Sequence, residues 1–359
     1  MPGKLESILI DEEWVSNHVS ALDQNRRKEL VTLRGFPDDK HQIWRVQPDI
    51  GWFMGKWIIP IRNIHGEVFH VKAWTNSPAI NQDTGEHYEK WTTIGFKGAA
   101  HHRAQGNGIG QVFNLDWIVS WIDQQPASPS KPWLWFVEGE FDCLMLRCFN
   151  WPATTLTIGA TSKLGSADLF IREFGGLASA SRLLSHFAGI VLCYDADDAG
   201  VVGMQRHAII LEDLFKQIQE AANLFAHGKG EPCEPLPSTF VGIKAVDLRQ
   251  HPAWEDGEGW GKDISDLIKW SLRNKSLAAK WLKDQARNSA AGIEAISDIL
   301  GLEYDQDTGK PTIGEIMSPT FKTISFSELM RIGIDYAKHK GSRNEGWYHM
   351  AVTAARNGW

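Results

Sequence analysis

Val191-Leu192-Cys193-Tyr194-Asp195-Ala196-Asp197-Asp198-Ala199-Gly200 is a short apolar run that stops abruptly in acids. A strong helical pattern, Val201 to Ile218, follows at once. A strand that ends in carboxylates and turns into a helix belongs to an open α/β sheet, where ligands bind outside the carboxyl ends of the strands. Asp195 and Asp197 are two residues apart, so an extended segment puts them on one side. Carboxylates held this close are costly unless a cation neutralises them. Hard oxygen ligands, few in number, suit Mg²⁺, which keeps several waters and meets substrate phosphates.

Working outward, the same grammar repeats. Leu134 to Val137 reads as a strand and runs into Glu138-Gly139-Glu140-Phe141-Asp142. Gly139 lets the backbone turn sharply and approach a ligand. Asp142 begins a helix running to Phe149, as a cap or as an outer partner of the site. Thr154 to Ile158 is a second strand, ending in the small-residue turn Gly159-Ala160-Thr161-Ser162-Lys163, whose N–H groups suit an anion. Gly189 to Tyr194 is a third strand and Phe240 to Val246 a fourth. After the fourth comes Gly261-Lys262-Asp263-Ile264-Ser265-Asp266, with more carboxylates and a lysine suited to phosphate. Alone, each motif is an ordinary turn, a solvated loop, or a helix start capped by Ser265 or Asp266. In conjunction, on alternating strands and helices, they predict a mostly parallel sheet with an acidic ligand site.

The order Glu138-Gly139, Asp195-x-Asp197, Lys262-Asp263-x-x-Asp266 resembles the TOPRIM domain of bacterial-type primases, topoisomerases, OLD nucleases and RecR-like proteins. The resemblance covers about residues 133 to 270 and implies a Rossmann-like α/β fold. It implies that Glu138, Asp195 and Asp197 hold Mg²⁺, or Mn²⁺ in its place, and act in phosphoryl transfer. Asp263 is the next metal candidate, followed by Asp142, Asp198 and Asp266. Glu138 has a second reading, as general base for a hydroxyl. Tyr-Asp-Ala-Asp-Asp-Ala-Gly and Gly-Lys-Asp-x-x-Asp-Leu look most like the primase branch.

The upstream sequence is similar to the same branch. Trp57-Ile-Ile-Pro60-Ile-Arg62-x-x-x-Gly66-Glu-Val resembles the strand pair that precedes TOPRIM in bacterial and phage primases. Glu89-Lys90-Trp91 and Gln111-Val-Phe-Asn114-Leu115 fall where those proteins carry further motifs. In that subdomain basic residues contact template and incoming nucleotide. Arg62, Lys72, Lys90 and Lys97 are the candidates here, with Gly139 and Lys262 from the TOPRIM side; plain surface charge is their ordinary reading. Gly341-Ser-Arg343-Asn344, with Ala351 and Gly358, is similar to the opening of helical primase C-terminal modules. The sequence stops at Trp359 inside that match, as a piece of a longer primase-helicase would.

Composition limits the alternatives. The 359 residues are 43% hydrophobic, enough for two or three domains with ample core. The divisions expected are an α+β subdomain over 1–125, a Pro/Ser-rich linker over 126–132, the TOPRIM domain over 133–272, and a mostly helical region over 273–359. The first is expected to contain a helix from Asp11 to Val31 and strands at Trp57 to Ile61, Val68 to Trp74 and Trp91 to Phe96. His227 to Pro237 reads as a surface insertion. No apolar stretch approaches the ~20 residues of a membrane span, and no secretory pattern opens the chain. A cytoplasmic protein is expected. The cysteines Cys143, Cys148, Cys193 and Cys233 form no CxxC pair, so reduced thiols and no bound zinc are expected. The zinc module that often precedes a primase core has no counterpart. No G-x-x-x-x-G-K-[ST] loop occurs, so a helicase would be a separate partner. A net charge of −7 argues against coating nucleic acid through bulk charge. The seventeen tryptophans either pack or stack on bases.

These readings converge on a DNA primase, a nucleotidyltransferase making short RNA primers on single-stranded DNA from nucleoside triphosphates, in a chromosome or a phage or mobile element. A TOPRIM nuclease would use the same acids with water as nucleophile. A non-catalytic nucleic-acid-binding module would keep the fold as scaffold.

Overall fold

The computed structural model describes residues 12–20, 23–37, 46, 49–75, 91–96, 111–125, 131–157, 167–251, 261–274 and 278–288. Lys90, Lys97, the Gly159–Lys163 turn, most of the 126–132 linker and the Gly341 motif lie outside them. So does everything beyond 288; of the C-terminal region, one helix, α9 (Ala278–Asn288), is described.

Two sheets carry the fold. The first is four-stranded and antiparallel, in the order β1 (Gly51–Phe53), β2 (Lys56–Arg62), β3 (Val68–Trp74), β4 (Trp91–Phe96). Strand β2 is apolar from Trp57 to Ile61 because both its faces are covered. Trp57, Ile59 and Ile61 point one way, into the main core. Ile58 points the other way, packing with Val68, Val71 and Ala73 beneath Val15 of helix α1 (Glu12–Ser20). Pro60 lies beyond the last β1 pair, Gly51 with Ile58, where β2 is an edge and a missing N–H is tolerated.

The single helix expected from Asp11 to Val31 is two, α1 and α2 (Gln24–Arg34). The break has a local cause: Asp23 is extended, and its carboxylate accepts the Arg26 N–H at 2.8 Å, starting α2 afresh.

The second sheet has the order β5 (Val112–Phe113), β7 (Ala153–Leu156), β6 (Trp133–Val137), β8 (Gly189–Cys193), β9 (Ile243–Ala245). All neighbours are parallel except β5, which runs against β7. Helix α3 (Leu115–Gln124) follows β5. The crossover from β6 to β7 is α4 (Glu140–Cys148), and that from β7 to β8 contains α5 (Asp168–Glu173) and α6 (Leu177–Leu184). After β8 runs the 29-residue α7 (Asp198–Ala226). The last described helix of this region is α8 (Ile264–Asn274). Strands β6 and β8 are continuous apolar runs because helices cover the sheet.

Strand β6 comes first in the parallel set, β7 goes to one side of it and β8 to the other. The chain therefore changes direction between β6 and β8, and a crevice opens outside their carboxyl ends. The fourth strand is shorter than the expected Phe240–Val246. The 227–237 segment is mostly exposed, although Cys233 is buried and Ser181 donates to the Glu234 carbonyl at 2.6 Å.

One apolar core joins the two sheets. Leu30, Phe36, Trp57 and Trp74 meet Trp135, Phe141, Leu144 and Ile264 within it. Trp57, Trp74, Trp121 and Trp135 are buried, so packing accounts for these four. All four cysteines are free and buried. Among the described residues, no helix is long and apolar enough to cross a membrane.

Candidate metal centre at the strand ends

Val137 and Cys193 are paired across β6 and β8, which sets Glu138 beside Tyr194 and brings Asp195 to the same rim. The Asp195 N–H donates to the Glu138 carboxylate at 3.3 Å. Gly139 is extended, with φ −125° and ψ 158°, so the free-turning glycine expected there is not what the backbone uses. It serves close approach instead: a Cβ at Gly139 would lie 3.0 Å from Asp142 Oδ2.

Asp142 is inside α4 and does not cap it; it is 6% exposed and turned toward the strand ends. Its Oδ1 accepts the Ser265 hydroxyl at 2.5 Å. Ser265 and Asp266 do not cap α8. Asp263 does, accepting the Asp266 N–H at 2.7 Å. Carboxylate oxygens of Asp142, Asp195 and Asp263 lie within 4.8 Å of one another.

Asp197 takes a different post. It caps α7, accepting the Gly200 N–H at 2.9 Å, and its side chain is 45% exposed. Gly200 is where α7 comes down on the strand end: a Cβ there would meet the Asp195 carbonyl oxygen at 2.2 Å. Gly200→Ala is therefore expected to cost about 1–3 kcal/mol and to displace Asp195. A lowered urea midpoint together with weakened Mn²⁺ binding would show both effects.

Lys262 spans the two acids of the Asp-x-Asp motif. Its ammonium pairs with Asp195 and reaches Asp197 Oδ2 at 3.4 Å. Arg34, at the end of α2, is a charge beside the acids that the sequence reading missed. Its positive charge acts on both Asp142 and Asp263, and its guanidinium lies 4.5 Å from the Phe141 ring centroid. Lys72 of β3 pairs with buried Glu140 and donates to the Thr157 carbonyl at 2.9 Å, placing the first sheet beside the Glu138 turn. Arg62 is committed within the fold. Its guanidinium binds Glu12 and the Gly66 carbonyl and faces Asp49 at 3.6 Å. Asp266 accepts the Lys262 N–H at 3.3 Å, and Asp198 sits in the first turn of α7.

The electrostatics follow from crowding. Burial, then the charges of Asp195 and Asp197, lift Glu138 to about 7. Burial and the Asp266 charge lift Asp263 to about 6. Burial raises Asp142 well above the carboxylate range, with the Asp263 charge adding to it. Asp195 is also raised by burial, against the opposing hydrogen bond from Lys262. Burial disfavours the Lys262 charge, but Asp195 and Asp197 outweigh it and raise the ammonium.

Acids held at 4.5 and 3.8 in the unfolded chain thus bind protons more tightly when folded. That contribution to stability is complete below the unfolded values and is lost as pH rises through about 6 to 7. With EDTA present, the thermal midpoint is expected to fall more steeply from about pH 5 to about pH 8 than that of Glu138→Gln. Equal slopes would contradict this assignment.

Carboxylates crowded to this degree are a group that could hold a divalent cation. The converging donors are all oxygen, which fits a hard divalent ion. Asp142, Asp195 and Asp263 are the residues that could hold it.

No protein-family model matches the sequence, and no curated protein matches it. Among solved structures, the Escherichia coli primase catalytic core is similar at a TM-score of 0.43 and 13% identity, covering 97% of this chain and 96% of that one. The RNA polymerase domain of Mycobacterium tuberculosis primase DnaG is similar at 0.46 and 15%, covering 85% and 92%. A DnaG primase catalytic domain bound to single-stranded DNA is similar at 0.42 and 13%, covering 97% and 94%. These three structures are catalytic cores or domains of DNA primases.

Proposed function

We propose that this chain is a primase-type nucleotidyltransferase that makes short RNA primers on single-stranded DNA with a divalent cation, Mg²⁺ in the cell. The convergence of Asp142, Asp195 and Asp263 at the β6–β8 crevice carries the reading. In it, Asp195 and the two flanking aspartates hold the cation, which when bound neutralises charge on the phosphates in an in-line displacement. Glu138, lifted toward neutrality, accepts the proton of the attacking 3′-hydroxyl. Lys262, at the mouth of the crevice, binds the triphosphate. Template DNA lies along the four-stranded sheet on the Lys72 side. A separate helicase supplies unwound template, and a mobile element is the genetic setting proposed.

The competing reading is a nuclease at the same acids, since a fold admits several chemistries. End-labelled single-stranded DNA incubated with ribonucleoside triphosphates and Mg²⁺ separates the two. New RNA over DNA of unchanged length is expected. Shortened DNA, stopped by Asp195→Ala, would establish the nuclease.

A further inference from the structure

Two cations already serve the acids, and they are held differently. Arg34 is fixed by its packing: Phe141 lies 4.5 Å and Trp74 5.5 Å from its guanidinium carbon. It sits toward Asp142 and Asp263. Lys262 sits on the opposite side, on Asp195 and Asp197.

The Lys262 backbone is tied down, whereas its side chain is held only at its tip, by the two carboxylates. Its carbonyl accepts the Ala196 N–H at 2.7 Å, and its own N–H donates to Asp266 at 3.3 Å. Gly261 before it has φ 126°, and a Cβ there would strike Asp266 Oδ2 at 2.3 Å, so only glycine allows this seat. The Lys262 side chain is nevertheless 59% exposed, against 12% for that of Asp195. A compact ammonium on a flexible stem, hung over the crevice from a fixed anchor, can leave without moving the loop.

We propose that Lys262 is a resident stand-in cation: it neutralises Asp195 and Asp197 in the metal-free protein and yields them when a divalent ion binds. The released ammonium then grips a phosphate of the nucleotide. This inference rests on the metal-centre reading. It adds that Asp195, the acid shared by the lysine pair and the aspartate triad, couples the two states. Lys262 thus opposes metal binding when the site is empty of nucleotide and favours nucleotide once metal is present. A merely structural lysine would not act with opposite signs on the two ligands.

The test uses the full chain stripped of metal and titrated with Mn²⁺, free ion being read by electron paramagnetic resonance. Lys262→Gln is expected to bind Mn²⁺ about three- to tenfold more tightly than wild type, the scale of a partly exposed ion pair that no longer competes. With Mn²⁺ saturating, the same variant is expected to bind ATP several-fold more weakly. Lys262→Arg keeps the cation and is expected to bind Mn²⁺ no more tightly than wild type, which keeps the test open should the glutamine variant fail to fold. Equal or weaker Mn²⁺ binding by Lys262→Gln, or tighter binding by Lys262→Arg, would overturn the inference alone. No Mn²⁺ binding by any of the three would overturn the metal centre as well.

Discussion

Asp195→Asn is expected to reduce primer synthesis at least about a hundredfold while leaving the protein folded, because it removes the one charge shared by the aspartate triad and the Lys262 pair. Asp195 belongs to the converging triad, pairs with Lys262 and lies on the Glu138 carboxylate through its N–H. Asparagine keeps the shape and the backbone contact but loses the negative oxygen that a cation needs. Relieving carboxylate crowding should hold or raise the metal-free thermal midpoint, the reverse of a folding defect. Mn²⁺ titration and a melt in EDTA check the two halves: binding lost, midpoint kept. A variant that binds Mn²⁺ as tightly as wild type would remove Asp195 from the centre.

The largest stability effect is expected far from that crevice. Arg147 of α4 pairs with Asp49 at 2.5 Å, with side chains only 7% and 10% exposed, and also donates to Asn114 at 2.9 Å. Asn114 is itself unusual, a non-glycine residue at φ 71°, fastened by its amide to the Ala153 carbonyl at 2.8 Å. Asp49 precedes the first sheet and Arg147 belongs to the second layer, so the pair ties the two together. Replacing Arg147 with methionine leaves a buried carboxylate that, among the described residues, has Arg62 at 3.6 Å as its remaining ion-pair partner. The expected cost is about 3–5 kcal/mol, a fall of about 10 °C in thermal midpoint. Adding Asp49→Asn should recover much of that loss, because the cost arises from the unpaired charge. A double variant no better than Arg147→Met would show that packing against Trp117, and not charge, dominates.

The legible and illegible parts of this fold divide along a physical line. The β6 and β8 strands and the acids that end them were readable, because a strand stopping in carboxylates is written in consecutive residues. Strands β2 and β3 were readable from two apolar patterns separated by a short turn at Gly66. The geometry within the acid cluster was not. Asp142, Asp195, Asp197 and Asp263 were all candidates by spacing, but only packing shows that Asp142 and Asp263 close around Asp195 while Asp197 shares Lys262 with Asp195 and caps α7. Which face of α4 turns to the crevice depends on how that helix packs, and no local pattern states it. Arg34 shows this most plainly. Its only sequence signal is a basic residue in the last turn of α2, a common place for one. Its nearness to Asp142 comes from α2 packing under Phe141. The break between α1 and α2, by contrast, could have been read from Asp23 as a cap.

The most direct test of the central claim is release of pyrophosphate from ribonucleoside triphosphates by the full chain with Mg²⁺, with and without single-stranded DNA. Nucleotidyl transfer at the Asp142–Asp195–Asp263 centre predicts release that needs the DNA and vanishes in Asp195→Asn. DNA-independent release, or release that is the same in Asp195→Asn, would contradict it.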